Sequence, residues 1–247
     1  MMRMKFPALV NLSGLRMVSK LIASDRLAIA LDTDDIGIAM GWAIQVQGIF
    51  GIAKVGLQLF SACGPSAIAP LLEKGFKIFL DLKLHDIPAT VEKSAYAIGK
   101  LGVGYMTVHS AGGVEMVKAA LNGLNEGSRS VNAPVPQLLG VTVLTSVANV
   151  TRGELKERIS ILMDAGADGL VCGSTDLATV NSISPGFFKV VPGIRRPQDR
   201  SDDQARFATP AQALAGGADV LVVGRPITSS PEPRQVAKEI LSIVENC

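Results

Sequence analysis

The 247-residue sequence contains two histidines, His85 and His109, and three cysteines, Cys63, Cys172 and Cys247. The cysteines are scattered, with no CxxC and no mixed Cys/His ligand spacing, which excludes a disulfide framework and a zinc site and suggests reduced thiols of a cytoplasmic protein. With so little histidine, metal centres built on imidazole and Ser/His/Asp triads lack material, and any catalysis is expected to rest on lysine and carboxylate. Aromatic residues make up 4% of the chain, so the core must be aliphatic, as suits parallel strands covered by helices. Lys plus Arg number 24 against 22 Asp plus Glu, a net charge of +2. That balance excludes the one-signed field of a nucleic-acid binder and leaves any anion specificity to a local site. No apolar run reaches the roughly 18 residues that cross a bilayer, so neither a membrane span nor a membrane partner is expected. The GxxxxGK[ST] loop, a GxGxxG after the first strand and GxSxG are also missing, which removes the common routes to nucleotide triphosphates, dinucleotides and serine hydrolysis.

The amino terminus differs from the rest. Met1 to Ser24 holds no acidic residue but four basic ones, Arg3, Lys5, Arg16 and Lys20. This weakly resembles an import or signal sequence, yet its apolar stretches are too broken for a secretory segment. A flexible extension over residues 1–25, ahead of a single catalytic domain at 26–247, is the favoured reading.

From Arg26 onward short aliphatic runs alternate with longer amphipathic ones. Strands are expected at Leu27–Leu31, Ile52–Gly56, Lys77–Leu80, Tyr105–Val108, Gln137–Val143, Gly169–Val171, Lys189–Val191 and Val220–Val223. Helices are expected at Asp34–Gln47, Pro65–Lys74, Thr90–Leu101, Val114–Asn125, Arg152–Ala165, Thr175–Ser184, Pro210–Ala215 and Pro231–Glu245, several of them stopped by glycine. Eight strand–helix units in a chain of this length predict an α/β fold of the (β/α)₈, or TIM-barrel, type; an open doubly wound sheet is the alternative.

The most informative stretch is Asp81-Leu82-Lys83-Leu84-His85-Asp86-Ile87-Pro88-Ala89-Thr90. Residues two apart on a strand share a face, so Asp81 and Lys83 can both point into the barrel mouth while Leu80 and Leu82 pack outward. Two charges at the tip of a central strand are costly unless paired, which argues against a solvated edge and favours a functional site, with a structural ion pair as the alternative. Other strand tips carry Asp32, Lys54, Thr145, Arg195 and Gly224-Arg225. A glycine and a forked guanidinium after strand 8 suit a phosphate, with Arg195 and Gln204 on the polar loop after strand 7 placed to close over it. His85, by strand alternation, has no reason to face a substrate, and His109 could line the floor of the site without being catalytic.

Together, Asp81-Leu82-Lys83-Leu84-His85-Asp86-Ile87-Pro88, Val191-Pro192-Gly193-Ile194-Arg195, Asp203-Gln204 and Val222-Val223-Gly224-Arg225-Pro226-Ile227-Thr228 resemble the bacterial orotidine 5′-phosphate decarboxylase family. The likeness runs from Arg26 to near the carboxyl terminus. It implies metal-free, cofactor-free decarboxylation of orotidine 5′-monophosphate to uridine 5′-monophosphate. It further implies Lys83 as proton donor to C6, Asp81 against the substrate carboxylate, and an alternating Lys54–Asp81–Lys83–Asp86 array. In the family the counterpart of Asp86 reaches the partner subunit's site, which implies a homodimer with shared sites. Asp32 and Lys54 would bind ribose hydroxyls and Thr145 would lie by the pyrimidine. Arg195, Gln204, Gly224 and Arg225 would hold the phosphate, and Ile87, Thr90 and Pro192 fall among the substrate-contacting positions. The competing expectation is a magnesium-dependent sugar-phosphate decarboxylase or aldolase of the same superfamily; its members carry an acidic ligand where this sequence has Lys54. A non-catalytic nucleotide-binding barrel is the other alternative.

Overall fold

A computed structural model describes residues 21–144, 147, 150–199 and 207–247. Eight parallel strands close into a barrel in sequence order: β1 (Leu27–Ala30), β2 (Ile52–Gly56), β3 (Lys77–Leu84), β4 (Tyr105–His109), β5 (Gln137–Val141), β6 (Gly169–Val171), β7 (Phe188–Val191) and β8 (Val220–Val223), with β8 pairing back onto β1. Around them lie α1 (Ile36–Val46), α2 (Leu57–Cys63), α3 (Ala69–Glu73), α4 (Pro88–Gly99), α5 (Gly113–Ser130), α6 (Arg152–Ala165), α7 (Leu177–Ile183), α8 (Pro210–Ala215), α9 (Arg225–Thr228) and α10 (Pro233–Glu245). The closed barrel settles the choice against an open sheet.

Strand alternation divides the apolar residues into two sets, as a barrel requires. Ala28, Ala30, Ile52, Phe79, Tyr105, Leu139, Val141, Val171, Val190, Val220 and Val222 fill the interior. Leu27, Ile29, Leu31, Ala53, Val55, Ile78, Leu80 and their neighbours face the helices. Near the lower end the few aromatics form a plug: Tyr105 stacks on Phe188 at 5.7 Å and meets Phe79 edge-on at 6.1 Å.

Several element ends differ from the sequence reading. The expected helix Pro65–Lys74 is two pieces with a further helix, α2, before it, because Gly64 takes a left-handed φ of 60° and Pro65 restarts the chain in a 3₁₀ turn. Strand β5 stops at Val141, two residues early, and α5 runs five residues longer than expected, to Ser130. Strand β3 is longer than expected, reaching Leu84, and so carries Asp81 and Lys83 on the strand itself. Helices α4 and α5 pack closely because Gly123 and Gly127 of α5 lie against the Glu92 and Tyr96 carbonyl oxygens, where a Cβ would collide. Residues 21–26 touch the barrel floor: Leu21 packs against the interior cluster and the Gly51 N–H donates to the Ser24 carbonyl at 2.8 Å, in a 3₁₀ turn spanning Ala23–Arg26.

Candidate active site

The site is assembled at the carboxyl ends of the strands. The register aligns Ala30, Lys54 and Phe79 as neighbours on three strands, and Gly56 with Asp81 one step up. Lys54 and Asp81 therefore both point inward, above the apolar interior. Their side chains are only 11% and 10% exposed, a placement that requires pairing. The pairing is present. Lys54 Nζ lies 2.8 Å from Asp32 Oδ1 and 3.9 Å from Asp81 Oδ2, and Lys83 Nζ lies 2.8 Å from the same Asp81 oxygen. Asp81 Oδ1 accepts a hydrogen bond from the Thr107 hydroxyl at 3.0 Å. Asp81 is thus held by two ammonium groups and a buried hydroxyl, and each lysine is held by a carboxylate.

Lys83 reaches this position through an irregular backbone. The pairing of β3 with β4 shifts register between Leu80 and Leu84, and Lys83 has φ = 52°, a left-handed conformation uncommon outside glycine. Its N–H donates to Thr107 Oγ1 at 2.8 Å. Gly56 leaves room beside the array: a Cβ there would stand 3.0 Å from both Asp32 Oδ1 and Lys54 Nζ. Thr107 and Gly56 were not singled out from the sequence. Thr107 carried a signal, since it lies two residues beyond Tyr105 and shares its inward face.

Asp32, Lys54, Asp81 and Lys83 line a cavity of about 290 Å³, together with Pro192, Gly193, Arg195, Gly224 and Arg225. One wall is apolar, formed by Ala30, Phe79, Val141, Val143, Leu144, Val171, Cys172 and Val222. Burial pushes the Cys172 thiol pKa well above its ordinary value, so this cysteine is an inert part of that wall. The cavity is therefore charged on one side, apolar on another, and carries two arginines and two glycines at the β7 and β8 tips. Gly193 turns the chain after β7 with φ = 77°. Asp86, Ile87 and Thr90 do not line this cavity; residues 85–90 form a continuous exposed run, and Asp86 Oδ1 accepts only from the neighbouring Ile87 N–H, at 2.7 Å, among the hydrogen bonds described. Thr145 and Gln204 lie outside the described residues. His85 stacks on His109, centroids 5.4 Å apart, and His109 Nδ1 accepts from the Ala111 N–H at 3.1 Å, so neither histidine belongs to the cavity wall.

Fold and site together define a (β/α)₈-barrel enzyme whose charged groups are gathered at the carboxyl face of the strands. Residues 25–240 match the model of the orotidine 5′-phosphate decarboxylase / HUMPS family, and the chain belongs to it. Among curated proteins it is 42% identical to orotidine 5′-phosphate decarboxylase of Anaeromyxobacter sp. (strain K), covering 88% of this chain and 97% of that one. It is 36% identical to the enzyme of that name from Moorella thermoacetica, covering 95% and 98%. Among solved structures it superposes on orotidine 5′-phosphate decarboxylase from Lactobacillus acidophilus with a TM-score of 0.74 and 34% identity, covering 90% of this chain and all of that one. Among the described residues, no helix is long and apolar enough to cross a membrane.

Proposed function

We propose that this chain decarboxylates orotidine 5′-monophosphate to uridine 5′-monophosphate, a step of pyrimidine nucleotide synthesis, and that it does so in the cytoplasm without metal or organic cofactor. The observation that carries the reading is the Lys54–Asp81–Lys83 array, with its 2.8 Å and 3.9 Å contacts, lining the same pocket as Arg195 and Arg225. The barrel over 26–247 is the catalytic domain, and residues 1–25 are an extension to it.

The reaction breaks the bond from C6 to the carboxylate carbon. Carbon dioxide leaves, the electron pair stays on C6, and a proton must then reach C6. In water that carbanion has little resonance relief, so the enzyme has to bind the transition state more tightly than the substrate. Lys83 Nζ is the proton donor: its ammonium stabilises the developing charge, transfers a proton to C6 and is reprotonated from solvent. Asp81, fixed by Thr107, stands beside the departing carboxylate, and its repulsion is relieved as charge moves to C6. Asp32 and Lys54 bind the ribose hydroxyls. Arg195, Gly224, Arg225 and Gln204 take the phosphate, Pro192 borders it, and Thr145 faces the pyrimidine.

Asp86 serves the site of a second copy, with Ile87 and Thr90 on the same rim. Support for this homodimer comes from the exposed run 85–90, in which Ile87 is 66% exposed, and from the absence of Asp86 from its own chain's cavity. A magnesium-dependent sugar-phosphate reaction is disfavoured because the Lys54 ammonium stands between Asp32 and Asp81, where it repels a divalent cation. The test is direct: purified protein in EDTA, followed for the loss of orotidine 5′-monophosphate absorbance. Turnover is expected. No turnover would sink the proposal, and turnover only after added magnesium would favour the alternative.

A further inference from the structure

Arg195 and Arg196 are adjacent at the tip of β7, yet their side chains diverge. Arg195 lines the cavity and is 8% exposed. Arg196 does not line it. Its guanidinium is spread between two carboxylates: Nε and Nη2 donate to Asp199 Oδ1 at 3.2 and 2.9 Å, and Nη1 donates to Glu239 Oε2 at 2.9 Å. The Arg196 N–H also donates to Asp199 Oδ2 at 2.6 Å, and the Asp199 N–H donates to the Arg196 carbonyl at 3.0 Å, which closes a tight turn.

An isolated surface ion pair contributes little, but this one has features that such pairs lack. The Arg196 and Asp199 side chains are 16% and 13% exposed, and the planar fork is engaged at both ends. The hydrogen bonds that the guanidinium donates to Asp199 hold its pKa above the ordinary arginine value. Glu239 belongs to α10, whose Val236, Ala237, Ile240 and Val244 are buried, so the outer end of the network is fixed to a packed helix. The same helix packs on α9, which begins with Arg225. On the inner side, the Arg195 N–H donates to the Ala208 carbonyl at 3.0 Å. The chain around Arg195 is thereby fixed on both sides.

We infer that Arg196 is a positioning residue for phosphate binding: through Asp199 and Glu239 it clamps the chain after β7 to α10 and sets the backbone from which Arg195 enters the cavity. This rests on the reading of Arg195 as a phosphate ligand. A double-mutant cycle with Arg195 tests it. Arg196→Ala is expected to lower kcat/KM for orotidine 5′-monophosphate about tenfold and to weaken competitive inhibition by uridine 5′-monophosphate in proportion. Inhibition by uridine, which has no phosphate, should not change. Arg195→Ala is expected to lose about a hundredfold, and adding Arg196→Ala to it should cost less than about twofold more, because the second residue acts through the first. Losses that multiply in the double variant, or equal weakening of uridine and its monophosphate, overturn the inference. Where Arg196→Ala does not fold, Glu239→Gln keeps the side-chain shape and should show a smaller loss confined to the phosphorylated ligand; a loss shared by uridine overturns the inference equally. A wild-type protein that binds uridine 5′-monophosphate but turns over no substrate would defeat the decarboxylation reading instead, and the clamp is then read from binding of the same two ligands.

Discussion

The Lys83 backbone N–H donates to the Thr107 hydroxyl oxygen at 2.8 Å, and the same hydroxyl donates to Asp81 Oδ1 at 3.0 Å. One buried threonine on β4 thus fixes both charged residues at the tip of β3. Lys83 occupies a left-handed backbone conformation that costs of order 1–3 kcal/mol and persists only where surrounding contacts enforce it.

Replacing Thr107 by valine keeps the volume and removes both hydrogen bonds. The loss of a buried partner costs about 2 kcal/mol, and if it falls on the transition state it lowers kcat roughly thirtyfold. Thr107→Ser, which keeps the hydroxyl, should retain most of the activity. Steady-state kinetics of the two variants, with thermal unfolding as a control, check this. Equal damage in both would assign the effect to packing.

Lys83 and Arg225 should separate chemistry from binding. Lys83→Ala is expected to reduce kcat by about 10³-fold or more, as removal of a proton donor and a charge stabiliser should. Arg225→Ala should act mainly on KM. A Lys83→Ala enzyme with near-normal kcat would show that the proton comes from elsewhere.

Subunit mixing tests the shared site. Asp86→Ala and Lys83→Ala homodimers should each be nearly inactive, because every site lacks one group. In a one-to-one mixture half of the dimers are hybrids, and each hybrid has one site with both groups intact. Activity should therefore recover to about a quarter of wild type. Mixtures no more active than their components would place Asp86 in its own chain's site or outside the chemistry.

His109 provides a pH dependence of stability. Burial, with the nearby charges of His85, Arg158 and Lys83, holds its pKa below the ordinary histidine value of 6.5. The unfolded chain then takes up a proton at a higher pH than the folded one. Stability should be greatest above 6.5 and fall as pH drops from 6.5 toward the lowered folded value, levelling off beneath it. Denaturant midpoints across that window should flatten in His109→Gln. An unchanged slope would remove His109 as the cause.

The fold was legible because a buried parallel strand and an amphipathic helix leave different periods in the sequence, and eight alternations leave few architectures. Strand β3 illustrates the limit. Its aliphatic run ends at Leu80, so periodicity stopped the strand there, although the ladder continues to Leu84 with a register shift. Helix α2 is not legible in the sequence because Leu57–Cys63 has no side-chain cap at its start, whereas Gly64-Pro65 after it carries a strong start signal. Asp81, Lys83 and Lys54 could be named from the alternation of charges at strand tips. Thr107 and Gly56 could not be ranked above other small polar or glycine residues, since their roles depend on which neighbour lies across the barrel.

The sequence by itself determined an aliphatic barrel of near-zero net charge, the residue types available for catalysis, and the strand tips that carry them. Those properties follow from local periodicity and composition. The tertiary structure alone decided which charges meet: that Lys54 stands between Asp32 and Asp81, that Asp81 is shared by two lysines and Thr107, and that Arg196 turns away from Arg195 to α10. Charge pairing falls off over a few ångströms, and the separations that matter here are set by strand register and barrel closure between residues as many as 49 positions apart in the case of Asp32 and Asp81.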